Sequence, residues 1–455
     1  MTPFSAACSW ASGCPHKALS RPCAASCWGA PAVAADPSLA LRPADGARYG
    51  ALGFALAFVA LPLYIGLPAH YAQEYGMPLA LLGLLLLGAR LADAVMDPWI
   101  GRLCDHWLNQ RSAQVLPLMG VAALLLLGGF VGLFFPPWRE QTALLVWCAG
   151  FLLLTYLGYS LLSVMHQAWG ARLGGNATAQ TRLVAWREGC ALAGVISASL
   201  LPSLIGLAAT AAALGLALCL GLLLLNRAPR APARRASGAS VAAPVWRVPA
   251  FRRLLAVFLL NGIAAAIPAS LLLFFVRDRL QTPQWEGAFL GLYFIAAALS
   301  LPLWLRLVAR IGQARSWGCG MLLAVAAFAW AAMLGSGDSL AFALICLASG
   351  VALGADLAIP GAMLTRVVQH AGLSGQAEGA FFGWWNAANK LNLALAAGLS
   401  LPLLQALDYA PGRRDAEALA ALTLAYCLLP CVLKLLAAGL LYVFWIRPQG
   451  AEELP

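Results

Sequence analysis

Long apolar runs separated by short polar breaks dominate the chain. They fall at 49–71, 78–102, 113–136, 141–168, 183–205, 207–226, 252–276, 286–309, 316–336, 339–368, 378–408 and 418–446. Each is long enough to cross a bilayer core as a helix, which takes about 20 residues. A membrane β-barrel is excluded, because its strands read as weakly alternating stretches of about ten residues. Only the Pro202 to Gly206 turn region divides the fifth and sixth runs. The pattern predicts an all-α polytopic membrane protein with twelve transmembrane helices in two six-helix halves. The predicted organisation is a disordered tail 1–46, a first half 47–226, a basic linker 227–250, a second half 251–446 and a tail 447–455. Two helical halves about a linker is the layout of a transporter built from repeats.

Composition agrees with that pattern. Of 455 residues, 62% are hydrophobic and 10% charged, against about a quarter charged in soluble proteins. The net charge of +11 is spread over short segments between the apolar runs. Such spacing describes membrane topology and not a groove for nucleic acid. Loops on one side, with the linker, carry seventeen arginines; those on the other carry five, Arg139, Arg277, Arg279, Arg413 and Arg414. The arginine-rich side is expected to be cytoplasmic, with both termini and the linker. Arginine far outnumbers lysine (26 to 3) amid abundant Ala, Gly and Pro, which fits GC-rich bacterial coding and a bacterial inner (cytoplasmic) membrane. Residues 1–46 contain no apolar run long enough for a signal core. The twelve cysteines imply no disulfide framework: eight lie in or beside apolar runs, and Cys8, Cys14, Cys23 and Cys27 match no zinc spacing.

Ionisable residues inside the runs carry the candidate chemistry, because each costs about 2.5–3.5 kcal/mol at mid-bilayer on insertion scales. Asp93 and Asp97 are four apart on one helical face, with Arg90 a turn earlier. Two such carboxylates can ligate a small hard cation or share a proton. A structural Arg90–Asp93 ion pair, with Asp97 hydrated at the helix end, is the plainer alternative. Lys390 lies some twelve residues into the eleventh run and needs a cavity or a counter-ion; Asp93, Asp97 and Asp356 are the available carboxylates. Asp356 could equally be a packing partner beside Gly350 and Gly354, whose spacing permits close helix approach. Other signals are discounted. Gly337-Asp338-Ser339-Leu340 spells an esterase-like string without a nearby His partner, and Asn176-Ala-Thr178 is a sequon on the predicted cytoplasmic side. There is no phosphate-cradling Gly-Lys-Ser/Thr loop.

The string Arg90-Leu-Ala-Asp93-Ala-Val-Met-Asp97-Pro98-Trp-Ile-Gly101-Arg-Leu-Cys-Asp105 resembles the helix-two and loop signature of the glycoside–pentoside–hexuronide:cation symporters, the melibiose-carrier branch of the major facilitator superfamily. Asn261-Gly262, Pro302-Leu-Trp304, Gly354-Ala-Asp356 and Gly383-Trp-Trp-Asn386 with Lys390 extend the resemblance over 49–446. It implies the major facilitator fold, with Asp93 and Asp97 as the cation-site carboxylates (metal ligands if the ion is sodium) and Lys390 communicating with them. Trp169, Arg187, Trp385, Asn386 and Asn389 would border the solute cavity. Arg90, Gly101, Asp105 and Asp356 would serve packing and gating. Departures from the galactoside carriers are Ala57 and Met165 where sugar-binding aspartates stand, Leu162 in place of a hydroxyl that assists sodium, and Arg366 and Gln369 in place of acidic residues.

The expectation is therefore a secondary symporter, with no enzyme activity and no cofactor. Its coupling ion would be H+, favoured over Na+. Its partners would be a small organic solute, the coupling cation and the bilayer, and it would act as a monomer. A sugar or glycoside-like solute leads, with a lipid-like compound as the alternative. Efflux antiport on the same fold is a second alternative. A membrane-embedded transferase is disfavoured, since the long linker carries no carboxylate.

Overall fold

A computed structural model describes residues 42–110, 112–229, 245–410 and 412–448. Among them the ordered elements are helical, and twelve long rods are present. The first, α1, runs through Pro43–Leu61, a π-helical turn Pro62–Gly66 and Leu67–Tyr75. The second, α2, is Leu79–Gln110. Then come α3 (Val115–Phe134), α4 (Gln141–Arg172), α5 (Ala177–Pro202), α6 (Leu204–Asn226), α7 (Pro249–Arg279), α8 (Pro283–Ile311), α9 (Gln313–Ala331), α10 (Ser339–His370), α11 (Glu378–Ala406) and α12 (Ala416–Ile446). The ten from α3 onward are long and apolar enough to cross a membrane on composition alone. The second rod, α2, carries Arg90, Asp93, Asp97, Arg102 and Asp105 along its length.

Several rods extend beyond the apolar runs because local chemistry starts or stops them. Pro43 supplies a fixed φ in the first turn of α1 and Asp45 adds favourable charge there, so the helix begins four residues inside the stretch read as tail; residues 1–41 of that tail lie outside the described residues. Asn176 caps α5, accepting from the Ala179 amide at 2.9 Å. The sequon asparagine therefore has a helix-capping role, and α5 starts six residues before its apolar run. Just inside the start of α6 the helical path is broken at Gly206, whose φ of 78° and ψ of 167° belong to glycine alone. The linker's central part, 230–244, lies outside the described residues, as do 449–455 of the C-terminal tail. Its end forms a short 3-10 turn, Val245–Arg247, before Pro249 opens α7.

Within the first half, α1 packs along the α5–α6 hairpin and α3 along α4; within the second, α10 packs on α8 and α9, and α7 lies between α11 and α12. The halves meet chiefly through α2 with α11 and α5 with α8, supported by α4 with α11. Glycines permit the closest crossing. A Cβ on Gly101 would stand 2.2 Å from the Gly379 carbonyl oxygen, and one on Gly383 would stand 2.5 Å from that of Asp97. Only glycines allow α2 and α11 to touch backbone to backbone there.

Candidate functional site

Asp93 and Asp97 project from the face of α2 that meets α11, and are 4% and 0% exposed. Between them lies the ammonium of Lys390. Its Nζ is 2.7 Å from Asp93 Oδ2 and 2.8 Å from Asp97 Oδ2, and it donates to Asp97 Oδ1 at 2.9 Å. Ser160 of α4 completes the cluster. Its hydroxyl donates to Asp93 Oδ1 at 2.9 Å and accepts from Lys390 at 2.8 Å. Charges buried this deeply persist only when paired and hydrogen-bonded. Here α2 and α4 of the first half supply the oxygens, and α11 of the second half supplies the cation. Arg90, a turn earlier, lies within electrostatic reach of Tyr156, Asp93 and Tyr159.

A second cross-half lock lies at the arginine-rich end, two turns beyond. Asp105 accepts from the amides of Gly379 and Ala380, both at 2.7 Å. It caps the α11 N-terminus from the other half of the molecule, where the helix dipole favours a carboxylate. Arg172 of α4 bridges Asp105 at 3.4 Å and Glu378 at 3.2 Å. Asn109 donates to the Gln376 carbonyl at 2.9 Å, and Gln313 reaches Thr181 at 3.0 Å. The cross-half hydrogen bonds of Asn109, Gln167, Gln313, Asp105 and Lys390 all lie at Lys390 or on this side of it. The halves are latched at the arginine-rich end.

The residues assigned to a solute cavity divide. Asn386 accepts from Gln167 of α4 at 3.1 Å, and Gln167 also donates to Ser163 at 2.9 Å. Trp385 stacks on Phe258 of α7, ring centres 3.8 Å apart. Asn389 is exposed on the α11 face between those two directions, so it looks into the gap between α4 and α7. Trp169 is buried, and its indole donates to the Pro229 carbonyl at 3.2 Å. Arg187 bonds its neighbour Glu188, with Nε to Oε1 at 3.0 Å, and its backbone packs on Gly50 and Gly53 of α1. In this state Trp169 and Arg187 brace the wall of the first half. Met165 and Leu162 are fully buried.

Asp356 takes a different partner from those considered for it. Lys434 of α12, which the sequence reading passed over, pairs with Asp356 Oδ2 at 2.9 Å and donates to Asn261 Oδ1 at 2.8 Å. Asn261 and the Trp317 indole donate to Asp356 Oδ1 at 2.9 and 2.8 Å. The whole cluster belongs to the second half. Its signal in the sequence was a lysine inside the apolar run Val-Leu-Lys-Leu-Leu, matched by a single aspartate in the tenth run. Ser160 and Gln167 were also passed over. Ser160 is a helix-four hydroxyl two residues before Leu162, where an ungapped alignment does not look. No group of three or more His, Cys, Asp or Glu that could hold a metal ion occurs among the described residues.

Twelve helices form two halves latched at one end around a buried ion cluster, and the family match identifies a membrane transporter and not an enzyme. Residues 47–447 match the MFS/sugar transport protein family, and the chain belongs to this family, within the major facilitator superfamily. No match was found among curated proteins. Among solved structures, a bacterial homologue of the iron transporter ferroportin, in an outward-facing state, is similar with a TM-score of 0.68 at 17% identity, covering 89% of this chain and 99% of that one. The human organic anion transporter TETRAN gives 0.58 at 18% identity over 88% and 98% of the two chains. The E. coli fucose:proton symporter gives 0.58 at 16% over the same shares.

Proposed function

We propose that this transporter is a cation-coupled symporter of the glycoside–pentoside–hexuronide type, importing a small sugar or glycoside-like solute across a bacterial inner membrane with both termini cytoplasmic. The observation that carries the reading is Lys390 held by Asp93 and Asp97 across the two halves. A proton or sodium ion at these carboxylates competes with the lysine for the same oxygens. When the cation takes them, the tie between α2 and α11 loosens, and the arginine-rich latch becomes free to open. Cation binding then changes the balance between two states of access, which is the content of coupling. Ser160 adds a fifth oxygen to the four carboxylate oxygens, the kind of donor set that suits a hard cation.

For the solute, the amides of Gln167, Asn386 and Asn389 offer both donors and acceptors to hydroxyl groups. The Trp385 ring, stacked on Phe258, offers an apolar face. That combination suits a sugar ring, and the family's description as sugar transport proteins agrees.

The test is a thermal-shift screen on detergent-purified protein, in sodium, in potassium and at pH 5.5 and 8. The probes are melibiose, methyl glucoside, glucuronate and lysophosphatidylcholine. A sugar whose stabilisation depends on sodium or on acid supports the reading and names the ion. Stabilisation by the lysolipid alone, indifferent to cation, overturns the solute assignment.

A further inference from the structure

Four of the five arginines on the less basic side gather at one corner, where α7 ends and α12 begins. Two of the four are neutralised. Arg277 pairs with Glu286 at 2.6 Å, and Arg413 with Asp415 at 3.0 Å. The other two, Arg279 and Arg414, pair with no carboxylate among the described residues. Each uses one donor on a backbone carbonyl instead: Arg279 on Leu334 at 2.8 Å, Arg414 on Arg277 at 3.3 Å. Those bonds fix the guanidiniums and leave further N–H donors on each. The corner is itself braced, because Asp278, 5% exposed, accepts from the Tyr409 hydroxyl and the Gly412 amide and so ties the α11–α12 turn to the end of α7.

Arg279 and Arg414 stand at the head of a groove of about 610 Å³ that runs down α12 past Leu419, Thr423, Leu424 and Leu428. Leu424 and Leu428 are 41% and 44% exposed, and Val432, Leu435 and Leu436 continue the same apolar surface. Among the described residues nothing covers this side of α12, so in a membrane it faces lipid. Two positive charges at the end of a span, above an apolar groove, match the two ends of one molecule. An anionic phosphate meets the arginines and an acyl chain fills the groove.

We infer that this corner is a binding site for an anionic phospholipid, with its headgroup phosphate between Arg279 and Arg414 and one acyl chain along α12. The site belongs to the membrane-facing surface of the second half and is independent of the solute pathway. It also accounts for the gathering of positive charge on the side where arginine is otherwise scarce.

The inference is tested by native mass spectrometry of the full chain titrated with dioleoyl phosphatidylglycerol and, separately, dioleoyl phosphatidylcholine. The phosphatidylglycerol is expected to bind more tightly, with retention falling about fivefold for each arginine removed in Arg279→Gln and Arg414→Gln. Arg139→Gln, which removes a charge elsewhere on that side, should leave retention unchanged. Ala420→Trp, on the exposed floor of the groove, should lower retention of the lipid without altering charge and covers the case of a charge variant that fails to fold. Equal retention by the Arg279→Gln/Arg414→Gln protein and the parent would overturn the site. Full displacement of the lipid by 10 mM inorganic phosphate, or indifference to Ala420→Trp, would make it a free-anion site and overturn the lipid assignment.

Discussion

The molecule contains two buried lysine–carboxylate clusters with nearly the same bond lengths and different places in the fold. Lys434 with Asp356, Asn261 and Trp317 lies wholly within the second half. Lys390 with Asp93, Asp97 and Ser160 joins one half to the other. A buried pair inside one rigid body has nothing to break it during a rocking motion, so it acts as a staple for α7, α9, α10 and α12. Under the proposed mechanism, a pair that crosses the interface between the halves exists in one state of access and is broken in the other. Chemistry is shared; on the proposed mechanism, position decides whether an ion pair holds a fold together or reads out a bound cation.

The comparison can be broken most severely at the staple. Lys434→Met leaves the Asp356 carboxylate buried without its cation and should cost about 3–5 kcal/mol. Denaturation in detergent would register this as a large loss, and Lys434→Met/Asp356→Asn should restore most of it. A single variant as stable as the parent would remove the distinction between the two clusters.

At the moving interface the effects should be smaller and confined to one state. Gly379→Val would drive a side chain toward the Gly101 carbonyl, since even a Cβ there stands 2.4 Å away. The overpacking should cost the latched state about 1–3 kcal/mol. Alkylation of a single cysteine at Asn386 by an impermeant maleimide, applied from the arginine-rich side, should therefore accelerate. No acceleration would mean that the crossing does not gate. Asp105→Ala removes the cross-half cap of α11, typically worth about 1 kcal/mol, and should accelerate the same reaction by roughly fivefold.

The smallest effect distinguishes the ions. Ser160→Ala removes hydrogen bonds worth about 0.5–1.5 kcal/mol. If a proton competes with Lys390, weakening the lysine's hold should raise the pH at which acid stabilises the protein. If sodium is the ion, the variant loses a ligand, and the sodium concentration needed for half-maximal stabilisation should rise instead.

Much of this architecture is written in local chemistry. Twelve apolar runs mark the twelve helices because a membrane span must satisfy its own backbone and hide few charges. Asp93, Asp97 and Lys390 stand out because ionisable groups there are costly. Helix starts are less visible: α5 begins at Ala177 because Asn176 caps it, which hydropathy does not register. The partners of each charge are the least visible. Asp105 meets Gly379 across 274 residues and Lys390 meets Asp97 across 293, and no periodicity encodes contacts so distant. The role of Lys434 is hidden for the same reason: its aspartate lies 78 residues away on another helix. Ser160 and Gln167 read as ordinary polar residues of α4 until α11 is placed against them.

The central claim is that cation binding at Asp93 and Asp97 releases Lys390 and so unlatches the arginine-rich end. The direct measurement is the distance distribution between spin labels at Arg102→Cys and His370→Cys, on α2 and α10, in a background whose native cysteines are replaced. Spectra would be recorded by double electron–electron resonance at pH 5.5 and 8, with and without sodium. The account predicts a longer-distance population that grows with the coupling cation and a loss of that response in Asp97→Asn. An identical cation response in Asp97→Asn, with the protein folded, would contradict it.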